Sequence, residues 1–381
     1  MSAPTETRAD QLREAKHPIY NDRKLHLGTF STNLSGGCSI STIDGVLEAT
    51  WEATSTLATM GDAMGFEALV PVGRWRGFGG PTNFNGSGFE CFTWAAGIGA
   101  STTDAGVFVT SHVPTIHPVM AAKQAATVDH ITGGRVALNI VTGWHTPEIE
   151  MFGAKQLEHD LRYECAQEWF DIVRKLWTAE EQFDYDGQYY SVKDALISPL
   201  PVQSPYPVTM NAGGSGKGRH FGARNCDVVF VASDMRNQTA EGMKAKVDEF
   251  RALAREEYGR EIRVWNNAYV VQGDTEADAR AFLHHYVEEL GDWEAAGNLV
   301  AGLGMNSQSY DKTTLDDMKR HFIAGWAGYP IVGTAARIVE QLAELVDAGL
   351  DGVLLSFPRY VQDMRRFQEE VHPLLVQAGL R

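Results

Sequence analysis

The sequence predicts a (β/α)₈ TIM barrel with insertions at its C-terminal face, and three observations carry that expectation. Eight apolar segments of strand length alternate with helical segments along the 381 residues, the alternation that builds a parallel sheet. Eight such units in one chain of this size suit a closed barrel better than an open doubly wound sheet. No glycine fingerprint of the dinucleotide-binding kind follows the first strand, which weakens the open-sheet alternative.

Residues 1–23 read as an N-terminal arm, polar and mixed in charge, with Pro18 ending any short helix, and residues 24–381 as one barrel domain. The first strand is LHLGTF, residues 25–30. Residues 50–64 follow with helical spacing, placing Trp51, Leu57, Met60 and Met64 on one face. The second strand, 68–72, runs into a long glycine-rich loop over 73–90. A helix at 92–101 precedes the third strand, GVFVT at 106–110, and a helix at 118–131 ends at Gly133-Gly134.

The fourth strand, 136–141, is uncharged through Val136, Ala137, Leu138, Ile140 and Val141, as expected of a strand covered on both faces. A strongly amphipathic helix at 162–178 carries Trp169, Phe170, Val173 and Trp177. A hairpin spans 183–192 across Asp186-Gly187. The remaining strands fall at 208–212, 228–231, 264–271 and 352–357, with helices at 216–226, 238–258, 275–290, 334–348 and 361–376. Two stretches depart from this rhythm, 73–90 and 291–330, the second rich in Gly, Asn, Ser and aromatics. Both are expected at the carboxyl ends of strands, with 291–330 as a lid insertion.

Composition bounds the function. A net charge of −16 argues against a generic basic surface for nucleic acid or anionic membrane. Four cysteines, Cys38, Cys91, Cys165 and Cys226, show no CxxC and no short Cys/His pairing, so neither structural zinc nor a disulfide framework is expected. Reduced thiols suit a cytoplasmic protein. The first residues lack the apolar core of a signal peptide, and no apolar run reaches the ~18 residues of a membrane span.

The chemistry concentrates at strand ends. Asn139 interrupts the apolar fourth strand, and a buried amide must find partners or cost roughly 1–3 kcal/mol. A core Asn satisfied by neighbouring backbone accounts for one such residue equally well. The strand then closes in Thr142, Gly143 and Trp144. The second strand ends at Pro71, Val72, Gly73 and Arg74, the third at Thr110, Ser111 and His112, and the fifth at Asn211, Gly213, Gly214 and Ser215. In a barrel these tips converge on one face. The glycine turn NAGGSG enters a helix, where backbone amides, the Ser215 hydroxyl and the helix dipole suit a phosphate; a tight turn alone explains it as well. Arg162 and Tyr163 open the long amphipathic helix and offer a cation and a hydroxyl to the same phosphate, or simply a solvated helix start. His112, His117 and His145 lie on nearby loops, one of them a candidate acid or base and the others surface or packing residues. No serine elbow, HExxH motif or kinase signature occurs, so a cofactor bearing its own chemistry is more attractive than side-chain catalysis.

Several segments are similar to those of the bacterial luciferase-like, flavin-dependent monooxygenases: RWRGFGG (74–80), AAKQAATVDHITGGR (121–135), ALNIVTGW (137–144), HDLRYECAQEWFDIV (159–173), NAGGS (211–215) and GLDGVLLSF (349–357). The likeness runs from residue 24 onward and is greatest to the pyrimidine and dimethylsulfone monooxygenase branch. It implies a two-component enzyme that takes reduced FMN from an NAD(P)H:flavin reductase and oxygenates a small polar heterocycle or organosulfur compound with O₂, through a flavin peroxide. It further implies a homodimer or homotetramer. By matching motif, Asn139 and Thr110 would flank the isoalloxazine and the oxygen pocket, with Trp144 and Val70 as its walls. Gly73, Arg74 and Glu148 would contact the flavin, and Arg162, Tyr163, Gly214 and Ser215 would hold its phosphate. Gly73-Arg74 and Val70 depart from the pyrimidine pattern of Ile-Lys and Leu, beside the substrate. Alkanesulfonate-type desulfonation, using Arg74, Arg76 and Arg219 as a cationic pocket, stays open at this point. So do a deazaflavin-dependent dehydrogenase on the same barrel and a flavin-binding barrel without catalysis.

Overall fold

The computed structural model describes residues 7–233, 235, 237–305 and 310–381. In chain order the strands are β1 (His26–Phe30), β2 (Ala68–Val70), β3 (Gly106–His112), β4 (Val136–Val141), β5 (Phe183–Asp186), β6 (Ser191–Ala195), β7 (Val208–Asn211), β8 (Val228–Phe230), β9 (Arg263–Gln272), β10 (Tyr329–Gly333) and β11 (Gly352–Ser356). The order β11-β1-β2-β3-β4-β7-β8-β9, closed by the β9–β11 pairing, makes an eight-stranded barrel in which every neighbouring pair is parallel. The expected (β/α)₈ barrel is therefore present. β5 and β6 form a separate antiparallel hairpin on the excursion between β4 and β7.

The pleat sends alternate side chains to two cores. Inward-facing Val70, Phe108, Ala137, Met210, Phe230 and Leu354 fill the barrel, and Ala9, Leu12, Ile19 and Tyr20 of the N-terminal segment join that same cluster. The segment read as an arm thus carries a capped helix, Arg8–Glu14, across the N-terminal ends of the strands. Arg8 there donates to the Tyr206 carbonyl at 2.6 Å and lies 3.5 Å from the Asp227 carboxylate. Outward-facing Val107, Val109, Leu138 and Ile140 pack beneath the helices Cys91–Ser101, Pro118–Thr132 and His159–Thr178.

The stretch 291–330 is more regular than its composition suggests. It holds the helices Trp293–Gly302 and Lys312–Gly325 and the start of β10, while 306–309 lie outside the described residues. β10 takes the edge of β9 that β8 leaves free: β8 pairs with Arg263–Trp265 and β10 with Ala268–Gln272. The two departures from barrel rhythm are tied to each other. Asp292 accepts from the Thr82 amide at 2.8 Å and its hydroxyl at 2.7 Å, and Asn298 donates to the Phe78 carbonyl at 2.8 Å. Gly80, at φ +67°, is the residue type this closure requires, since a Cβ there would lie 2.5 Å from an Asp292 oxygen.

Candidate active site

β3 and β4 pair in a register that sets Thr110 beside Asn139. The Thr110 hydroxyl donates to the Pro71 carbonyl at 2.6 Å, so its one proton is committed. Asn139 must therefore present its amide nitrogen to Thr110, and does so at 3.1 Å. That fixes the amide's orientation and leaves the Asn139 Oδ1 buried without a partner. An orphaned acceptor of this kind costs roughly 1–3 kcal/mol unless a ligand satisfies it. The expected pair is assembled, with Thr110 orienting Asn139 and its own proton already spent.

Val70 lies directly beneath in the barrel interior, fully buried. Beside Thr110 and His112, Gly73 and Arg74 begin the glycine-rich loop. Arg74 and Glu148 form an ion pair at 3.1 Å with side chains only 2% and 4% exposed. The other Glu148 oxygen accepts from the backbone of Trp75 at 2.6 Å and of Arg76 at 3.1 Å. Glu148, expected to touch the flavin, has both oxygens engaged by this turn. Burial pushes its carboxyl up, but the His145 hydrogen bond, the Arg74 charge and the Trp75 N–H outweigh that and hold it at about 2. Burial draws Arg74 below its ordinary value against the pull of Glu148, yet a guanidinium stays charged and the pair is ionic.

Aromatic rings enclose that cation. The Arg74 guanidinium lies 4.9 Å from the Phe78 ring centroid, 5.2 Å from Trp144 and 5.9 Å from Trp326. Trp144 stacks on Phe78 with ring planes 9° apart and lies against Gly302 of the insertion. It is thereby packed between the glycine-rich loop and the insertion. Phe78 and Trp326 had no signal in the sequence beyond being aromatic. His145 packs on Phe78 with Nδ1 3.7 Å from Glu148, and His112 is buried against Gly73. Burial holds His112 down to about 4, with Glu148 opposing and Arg74 adding to the effect, so it is neutral at pH 7. His117 is exposed and caps the helix Pro118–Thr132.

The second centre follows β7. Asn211 straps β7 to β4 by donating to the Ile140 carbonyl at 2.8 Å, and accepts from the Gly213 amide at 2.8 Å. Ser215 caps the ten-residue helix Gly216–Asn225, accepting from Gly218 N at 3.1 Å. The Tyr163 hydroxyl closes one side: a Cβ on Gly218 would come within 2.5 Å of it, and one on Gly213 within 2.8 Å. Arg162 donates to the Gly143 carbonyl at 2.7 Å, while its Nε is buried without a partner. Above Gly214 and Gly216 the space is open, with nothing within 4 Å of an added Cβ. Free amides at a helix start, a hydroxyl, a phenol and a cation with an unmet donor fit a phosphate. Arg219, by contrast, pairs with Glu249 on the neighbouring helix Ala240–Tyr258, and Arg74 is spent on Glu148. The cationic pocket of Arg74, Arg76 and Arg219 is not assembled. Among the described residues no cluster of metal-ligating side chains occurs, all four cysteines are free and buried, and no helix is long and apolar enough to cross a membrane.

The glycine turn after β7 and the buried polar pair on β4 and β3 lie on adjacent strands of a (β/α)₈ barrel, the class in which ligand sites form at the C-terminal face. The family model described as luciferase-like monooxygenase matches residues 27–352, and the chain belongs to that family. It is 30% identical over 351 residues to an FMNH₂-dependent dimethylsulfone monooxygenase of Pseudomonas putida, covering 90% of this chain and 93% of that one. It is also 30% identical over 364 residues to a pyrimidine monooxygenase of Pseudomonas savastanoi pv. phaseolicola, covering 92% and 96%. Among solved structures, a riboflavin lyase with modified FMN and riboflavin superposes with a TM-score of 0.83 at 22% identity, covering 93% of this chain and 92% of that one.

Proposed function

We propose that this chain is a two-component monooxygenase that uses reduced FMN and O₂ to oxygenate a small polar heterocycle or organosulfur compound. The observation that carries the reading is the adjacency of the β7 cradle to the Thr110–Asn139 pair on the next two strands, β4 and β3. An elongated molecule with a phosphate at one end and a hydrogen-bonding ring at the other matches that layout, and the name of the FMNH₂-dependent dimethylsulfone monooxygenase at 30% identity supports FMN. The opposing rival, desulfonation of an alkanesulfonate, lacks its cationic pocket.

Ser215, the Gly214 turn, Tyr163 and Arg162 hold the phosphate. The orphaned Asn139 Oδ1 accepts from the ring edge, oriented by Thr110, and its second amide hydrogen is free to stabilise negative charge as oxygen is reduced. When bound, the reduced flavin supplies the electrons that activate O₂. Val70 and Trp144 wall the reacting region, and the insertion at 291–330 acts as a lid that keeps water out, because water would divert the oxidant. Glu148 acts through the Gly73–Arg76 turn, pinning it against the site. Residues 24–381 work as one domain, fed in the cytoplasm by an NAD(P)H:flavin reductase and assembled as a homodimer or homotetramer.

The test is anaerobic titration with reduced FMN, followed by ¹⁸O₂ and a panel of pyrimidines, sulfones and sulfonates. The expected result is tight FMN binding and one labelled oxygen atom in a product from the heterocycles or sulfones. Reduced FMN that fails to bind, or a product with no label, refutes the assignment.

A further inference from the structure

A cavity of about 220 Å³ lies between the tips of β2 and β3 and the starts of the helices Cys91–Ser101 and Pro118–Thr132. Gly73 and Thr110 line it, so it reaches the Thr110–Asn139 pair. Its aromatic lining comes from Trp75, Phe89, Phe92 and Phe152. Two polar atoms in its wall are buried and lack partners: the Ser111 Oγ, on a residue 2% exposed, and the Gln124 Oε1. Its charged groups are already spent. Glu90 accepts from the amides of Phe92 at 2.9 Å and Thr93 at 2.8 Å, and Arg74 is paired with Glu148. An ion entering here would find no counter-charge.

We propose that this cavity is the substrate pocket and that Ser111 and Gln124 select an uncharged, planar molecule of amide or lactam type. The ligand gives an N–H to the Gln124 carbonyl and takes the Ser111 hydroxyl on its own carbonyl oxygen, while the aromatic walls cover its faces. A sulfone carries acceptors only and leaves Gln124 Oε1 unmet; a sulfonate or carboxylate brings a charge that nothing in the wall offsets. The inference rests on the monooxygenase reading and narrows its substrate class. A site built around a hydrogen bond rejects an analogue that lacks it.

The probe is 2-pyridone, measured by calorimetry on the FMN-loaded protein beside N-methyl-2-pyridone, which lacks the donor, and benzoate, which adds a charge. The expected result is that both analogues bind at least tenfold more weakly than 2-pyridone. The double variant Ser111→Ala/Gln124→Leu is expected to lose that preference while keeping its FMN affinity. Met120→Trp, at the exposed rim, narrows the entrance without touching the buried groups and should weaken all three probes together. Equal affinity for the three probes, or wild-type 2-pyridone affinity in both variants, overturns the proposal. FMN affinity is followed separately by flavin fluorescence. If FMN fails to bind the wild type, the cofactor reading falls, and the 2-pyridone series on the cofactor-free protein still decides this one.

Discussion

Replacing Glu148 by Gln keeps the shape of the side chain and an acceptor for the Trp75 and Arg76 amides, but removes the charge facing Arg74. The carboxyl sits at about 2 against an ordinary value of 4.5. A shift of that size is worth roughly 3 kcal/mol at neutral pH. Breaking a buried pair and stranding its cation costs about 3–5 kcal/mol, so the two routes agree. For a chain of this length the unfolding entropy turns ~3 kcal/mol into a loss of roughly 4 °C in Tm. The sign follows from the lowered carboxyl: the stabilisation is fully present above pH 4.5 and is lost as the pH falls through about 2. Urea denaturation followed by tryptophan fluorescence should show the variant about 3 kcal/mol less stable at pH 7, with the gap closing towards pH 3. Adding Arg74→Met should recover much of the loss by removing the stranded charge. A single variant within about 0.5 kcal/mol of wild type at pH 7, the usual scatter of surface substitutions, or a gap independent of pH, refutes the reasoning.

Three further outcomes are expected. Ser215→Ala with Arg162→Ala should weaken FMN binding by about 2–4 kcal/mol, read as a rise in Kd by flavin fluorescence, and unchanged affinity moves the phosphate elsewhere. Asn139→Ala should still bind FMN but divert oxygen to H₂O₂, measured as peroxide released per flavin oxidised; full coupling removes Asn139 from the oxygen chemistry. His112, lowered from 6.5 to about 4, makes the fold lose stability as the pH drops from 6.5 towards 4, because the unfolded chain takes up the proton first. His112→Gln should flatten that part of the pH profile, and an unchanged slope assigns it to another group.

Much of the barrel was legible because its strands are apolar and alternate with helical segments across turn residues: all eight staves fall at their expected places. β10 was not legible, since Pro330 within YPIVG reads as a strand breaker. The proline is tolerated because, among the described residues, β10 pairs with β9 alone, which leaves its outer edge without a ladder to complete. The N-terminal helix is seven residues long, too short to show a period, and its Leu12 gains meaning only under the barrel. At the site, groups on single strand tips were readable. Contacts between distant segments were not: Arg74 meets Glu148 across 74 positions, and Trp326 joins them from the far end of the chain. Nor could spacing show that Thr110 spends its proton on Pro71.

The helix and tyrosine wedged under the staves stopper this barrel at its base. The base is a seam of apolar contacts and arginine–aspartate ties, and the loops lie at the opposite rim. Changes at the base therefore alter how long the vessel lasts, and changes at the rim alter what it admits. An engineer can work on the two ends as separate parts.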